Sequence, residues 1–114
     1  LEVENIINYL TKNSYINEER FALAFAHGKF AIKRWGKIKI IIELKKRKID
    51  SNLISKAINQ ITDLDYDKVF HEISLKKFNS LKGPLDSRKR KFINYLSYRG
   101  WEYDLIIRKV NELF

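Results

Sequence analysis

Lys33-Arg34-Trp35-Gly36-Lys37-Ile38-Lys39-Ile40-Ile41-Ile42-Glu43-Leu44-Lys45-Lys46-Arg47-Lys48 is the stretch on which the reading of this chain turns. It holds eight positive charges and one negative around an unbroken apolar run, Ile40-Ile41-Ile42. A segment this basic and this oily must turn one face to a core and another to water or to an anion. Its first residues alternate as a strand would, Lys37-Ile38-Lys39-Ile40. Its length and basic continuation favour a helix over about 37 to 47. Trp35-Gly36 separates that helix from the one before it.

Working outward, the flanking segments also read as helices. Val3, Ile6, Ile7 and Leu10 have helical spacing, and Asn13-Ser14 is expected to end that helix. Asn17 is the expected N-cap of the next one, with Glu18 and Glu19 in its first turn. Ile16 and Phe21 have the spacing of a hydrophobic staple there. Phe21, Ala22, Phe25, Ala26, Lys29 and Phe30 carry its face to about residue 33. Beyond the opening stretch, Asp50 caps a helix buried through Leu53, Ile54, Ala57, Ile58 and Ile61. Asp65 is the expected cap of a helix through Val69, Phe70, Ile73 and Phe78, which Gly83-Pro84 stops. Asp86 or Ser87 caps a helix over about 87–98 that Arg99-Gly100 ends, and a last helix runs over about 102–113. No stretch has strand periodicity bounded by turn residues.

The sequence repeats itself. With a shift of 52, Ile40, Ile41, Leu44, Ile49, Leu53, Ile54, Ile58 and Ile61 meet Phe92, Ile93, Leu96, Trp101, Leu105, Ile106, Val110 and Leu113. With a shift of 48, Phe21, Phe25, Lys29 and Phe30 meet Val69, Ile73, Lys77 and Phe78. The opening helix fits the third position of such a unit with a shift of 51. The expectation is an all-α protein of tandem three-helix repeats forming an elongated, curved array. Residues 15–62 and 63–114 are two repeats, and 1–14 is the last helix of a truncated first one. Ile40, Ile41 and Leu44 belong to the core. Ile38 and Ile42 meet Arg90 and Asn94, so they either face a neighbouring repeat or a partner or belong to a slightly wider buried stripe.

Composition narrows the function. The 114 residues carry a net charge of +9, and 45% of them are apolar. Residues 33–48 hold +7 and residues 88–114 hold +4, while 1–32 and 49–87 each sum to −1. Positive charge clustered this way points to a polyanion or to an acidic protein surface. There is no cysteine, which excludes disulfides and thiolate metal sites and suits a reducing cytoplasm. No run is long and apolar enough for a membrane span. His27 and His71 stand alone, without a metal-like i+4 partner. Asp63, Asp65 and Asp67 lack the glycine and glutamate of a calcium loop. No phosphate loop or nucleophile constellation is present. A binding protein is expected, with no enzymatic activity, cofactor or metal.

The candidate contacts are the two basic blocks. The first is Lys33, Arg34, Trp35, Lys37, Lys39, Lys45, Lys46 and Arg47; the second is Arg88, Lys89, Arg90, Lys91 and Arg99. Arg88 to Lys91 are placed in the first turn of a helix, where positive charge opposes the helix dipole. The first block is mainly lysine and the second mixes lysine with arginine; neither offers the Asn, Gln and Arg mix that reads bases, so the composition is of a phosphate type. A helix-turn-helix DNA-binding module and a plain helical scaffold are the alternatives.

Three segments resemble the bacterial regulatory RecX family. They are Tyr15-Ile16-Asn17-Glu18-Glu19-Arg20-Phe21-Ala22, then Gly36-Lys37-Ile38-Lys39 with Glu43-Leu44-Lys45-Lys46-Arg47-Lys48-Ile49, then Arg88, Phe92 and Leu96-Ser97-Tyr98-Arg99-Gly100-Trp101. Lys48 stands where that family usually has glycine. The resemblance implies a cytoplasmic modulator of the RecA recombinase, built as tandem three-helix repeats. Such a protein binds the RecA–DNA filament and DNA itself, blocks filament extension, and suppresses strand exchange and ATP hydrolysis. A monomer is expected. Arg20 is expected to pair within or between helices, and Tyr15 and Gly100 to shape the fold.

Overall fold

A computed structural model describes residues 2–114, and of the side chains before residue 12 only Ile6. Six helices account for the described chain, with no strand: α1 (Glu2–Ala31), α2 (Lys37–Lys46), α3 (Ser51–Asn59), α4 (Asp63–Ser80), α5 (Leu85–Tyr98) and α6 (Tyr103–Leu113). α1, α2 and α3 pack on one another, and α5 packs on both α4 and α6. The body is long, 71 × 24 × 20 Å, with a radius of gyration of 18.7 Å. A compact domain of this length has a radius of about 13 Å. The fold is therefore an elongated array of two three-helix units.

The burial pattern repeats as the sequence does. Ile40 and Leu44 on α2 are 0% exposed, and so are their counterparts Phe92 and Leu96 on α5. Ile54 and Ile106 are both core, as are Leu53, Trp101 and Val110. Ile38 and Ile42 are 42% and 47% exposed, so they lie outside the core and do not widen its buried stripe. On α1 the buried stripe is Ala22, Ala26 and Phe30. The alanines let neighbouring helices come close, while Phe21 is left 43% exposed.

The ends of α2 and α5 close alike. Lys48 N–H donates to Lys45 O at 2.9 Å and Ile49 N–H to Leu44 O at 3.2 Å. Gly100 N–H donates to Ser97 O at 3.0 Å and Trp101 N–H to Leu96 O at 3.2 Å. Each is the paired bonding of a Schellman C-cap, which needs one left-handed residue. Gly100 takes it at φ 89°, and Lys48 takes it at φ 59° without glycine's freedom.

Several boundaries differ from expectation. α1 does not end at Asn13-Ser14 but runs for 30 residues. No glycine or proline lies between residues 2 and 27. Asn and Ser cost a helix interior only fractions of a kcal/mol, roughly 0.7 or less each relative to alanine. The Asn17 cap and the Ile16–Phe21 staple therefore do not form. The expected stripe through Val3, Ile7 and Leu10 lies outside the described side chains, and Ile6 is 58% exposed. α4 is capped by Thr62, whose Oγ1 accepts from Asp65 N–H at 3.1 Å, rather than by Asp65. Asp50 caps α3 as expected, accepting from Asn52 N–H at 2.8 Å. α5 starts at Leu85 behind Pro84, two residues earlier than Ser87. Arg88 is then its fourth residue and Lys91 its seventh. Asp86 occupies the first turn, so the block does not oppose the dipole as expected.

Candidate polyanion interface

The start of the opening stretch is where the two units join. The first turn of any helix leaves N–H groups without intrahelical partners. For α2 the second unit supplies them. Gly36 N–H donates to Arg99 O at 2.8 Å and Ile38 N–H to Gly100 O at 3.1 Å. Lys37 N–H donates to the Tyr66 hydroxyl at 2.9 Å, and that hydroxyl donates to Glu102. Burial first, then the bond to Glu102, hold the Tyr66 phenol far above its ordinary range, so it stays a donor. In return, Trp101 Nε1–H donates to Arg34 O at 3.1 Å and Arg99 to Lys33 O at 3.2 Å. Phe30, Tyr66, Phe70 and Trp101 stack across the same junction with centroids 4.5–6.5 Å apart. A Cβ on Gly36 would meet Gly100 O at 2.3 Å, and one on Gly100 would meet Lys39 Cβ at 2.3 Å.

The predicted site residues fall into four groups, of which only some lie at this joint. Lys37, Lys39 and Trp35 are partly taken up inside the protein. Lys37 Nζ lies 4.5 Å from the Tyr66 ring centre. Lys39 Nζ lies between the rings of Trp35 and Tyr98, at 4.5 and 4.3 Å. Trp35 is half-buried and meets Phe25 edge-on at 6.3 Å. The aromatic faces attract the ammonium groups, and the lysine stems cover apolar surface.

Lys45, Lys46 and Arg47 have a local explanation at the C-terminal end of α2, where positive charge complements the dipole. Glu43 pairs with Lys46 at 3.2 Å and with Arg47 at 3.3 Å. The Lys46 hydrogen bond, then that of Arg47, hold the Glu43 carboxyl below its usual range. In the second block Arg88 is likewise held, its Nε donating to Gly83 O at 2.9 Å. Lys89 is half-buried, and Arg90 and Lys91 are exposed. The structure thus brings the blocks together at the joint, through Lys33, Arg34 and Arg99, and not along their full lengths.

Sequence reasoning missed Lys76 and Lys77. They lie in a segment whose charges sum to −1. The fold sets them beside Lys33, Arg34 and Arg99 in a cleft of about 540 Å³ between the units. The signal was present in the repeat, which aligns Lys77 with Lys29 and Arg99 with Arg47. Among the described residues Arg20 does not make the expected pair; Glu19, beside it on α1, pairs with Lys56 at 2.9 Å. Tyr15 is 44% exposed and shapes no core. Among the described residues no group of acids and histidines is placed to hold a metal, and no helix is long and apolar enough to cross a membrane.

The family model of the RecX second three-helix domain matches residues 17–58, which cover the later half of α1 together with α2 and α3. The chain is 25% identical over 114 residues to the regulatory protein RecX of Clostridioides difficile, spanning 97% of this chain and 53% of that protein. It is 29% identical over 107 residues to that of Pelodictyon phaeoclathratiforme, at 91% and 64% coverage. The chain is RecX-like over nearly its whole length. With the regulatory protein RecX of Acinetobacter baylyi the identity is 26% over 112 residues, at 98% and 68% coverage. The chain spans about half to two thirds of the length of these relatives. No solved structure matches it significantly. Of the RecX-like motif residues, Gly36 and Gly100 are the two that touch at the joint.

Proposed function

We propose that this chain is a non-enzymatic regulator of the RecA recombinase. It acts in the cytoplasm as a monomer, binds the RecA–DNA filament, and inhibits filament extension, strand exchange and ATP hydrolysis. The observation that carries the reading is similarity along nearly the whole chain to proteins named regulatory protein RecX. Two features support it. The body is 71 Å long, a shape suited to lying along a polymer. Its basic groups concentrate where two helical units meet, so the contact is a strip rather than one recognition helix. Residues 15–62 and 63–114 as tandem repeats, with 1–14 belonging to a preceding one, are part of the same proposal.

The reading is tested by anisotropy of the labelled chain titrated with RecA filaments on single-stranded DNA, against the same DNA alone. Binding to filaments at least about tenfold tighter, or about 1.4 kcal/mol, is expected. Equal affinity for bare DNA would favour a plain DNA-binding module.

A further inference from the structure

The cleft between the units is strongly one-sided in charge. Lys33, Arg34, Lys76, Lys77 and Arg99 line it, and Glu72 is its one carboxylate. Five like charges converging on one hollow repel one another, whereas in the first unit the counterpart of Arg99 is paired internally. There Arg47 is neutralised by Glu43 at 3.3 Å. The position aligned with Glu43 in the second unit is Tyr95. Tyr95 holds the cations without neutralising them: Lys77 Nζ and the Arg99 guanidinium lie 4.6 and 4.5 Å from its ring centre. Arg99 Nε is buried with no acceptor among the described residues, on a side chain that lines the cleft.

Arg34 adds an independent observation. Its backbone sits at φ 60°, a region that glycine occupies without cost and other residues do not. Glycine would serve the turn better, yet the side chain present sends a guanidinium to the cleft. Its pairing with Glu72 is loose, at 3.5 Å between groups that are 40% and 47% exposed. Such a pair is easily exchanged for a stronger anion, because a phosphate offers a guanidinium two parallel hydrogen bonds.

We propose that this cleft is a receptor for phosphate groups, in which Lys76, Lys77, Arg34 and Arg99 bind the anion and Glu72 competes with it for Arg34. The phosphate comes either from a nucleic-acid backbone or from a free oligophosphate; the chemistry recognised is the same. The proposal deepens the filament reading, since a filament regulator meets nucleic acid. Its test contains no RecA, so either reading can fail while the other stands.

The test is anisotropy with a labelled single-stranded oligothymidylate at several salt concentrations, with tripolyphosphate as competitor. Replacing Lys76 and Lys77 together by alanine weakens oligonucleotide binding about tenfold and lowers the salt slope by about 0.7 for each phosphate no longer neutralised on this single strand. Arg34→Gly, which suits the backbone at that position, weakens it as well. Glu72→Gln tightens it about threefold, because Arg34 loses its internal partner. Replacing Lys12 and Lys68, which lie outside the cleft, removes the same charge with a smaller effect. Equal effects of the two double variants, or no tightening from Glu72→Gln, would overturn the proposal. Amide shifts of the unaltered chain test it without any variant. Tripolyphosphate or the oligonucleotide must move the signals of residues 76–77 and 99; if neither does, the cleft is no phosphate site. Displacement of the oligonucleotide by equimolar tripolyphosphate marks the free anion as the preferred source, and resistance to it marks the backbone.

Discussion

Two glycines and one lysine show how much depends on single positions. Gly36 has an ordinary φ of −77°, so its role is the space that a side chain would fill. Gly100 is constrained twice, by φ 89° and by Lys39 against it. Gly100→Ala is expected to cost at least about 2 kcal/mol, from left-handed strain and overpacking together. Chemical denaturation reads this directly, and a loss under about 0.5 kcal/mol would mean that the joint gives way easily. Lys48 holds the equivalent backbone turn but is exposed, and that is why a side chain is tolerated there. Lys48→Gly should therefore stabilise the chain by up to about 1 kcal/mol, as it removes left-handed strain at an open site. Unchanged or lowered stability would contradict that account. The Lys48 substitution was legible in the sequence as a missing cap glycine. The contact between Gly36 and Gly100 was not, because the two residues are far apart in the chain and meet only when the units dock.

Among the elements, α2 was read best and α1 worst. The repeat sorted α2 by face: Ile40 and Leu44 are buried, and Ile38 and Ile42 are left out. Apolar periodicity is set by the helix itself, so it survives without knowledge of the fold. The end of α1 was misread because Asn13-Ser14 and Asn17 are good caps only where the backbone leaves the helix. Nothing in a side chain forces that departure. The start of α5 was misplaced for a similar reason, as Pro84 rather than an acidic side chain opens it. Ile42 carries the prediction at this scale. Ile42→Glu on an exposed face should change stability by less than about 0.5 kcal/mol while weakening attachment to the filament. A large fall in melting temperature, or undiminished attachment, would show that Ile42 does not face a partner.

For the whole molecule, the arrangement of units mattered more than the arrangement of charges. Summing charge along the chain found both basic blocks but assigned the 49–87 segment to neither. Docking the units turns Lys76 and Lys77 of that segment toward Lys33 and Arg99. Local pairing meanwhile occupies Lys46 and Arg47, which the linear reading had placed at the interface. The candidate surface is thus shorter and more concave than the sequence suggested, and it spans the boundary of two units within a body 71 Å long. A surface that crosses a joint depends on the joint being stiff, which ties the glycine contact to the function proposed. The most direct test of that function is ATP hydrolysis by RecA on single-stranded DNA, measured as this chain is added. Hydrolysis is predicted to fall at amounts of the chain well below those of RecA, and Gly100→Ala is predicted to blunt the effect. Undiminished hydrolysis at equimolar chain, with tight binding to duplex DNA instead, would contradict the account.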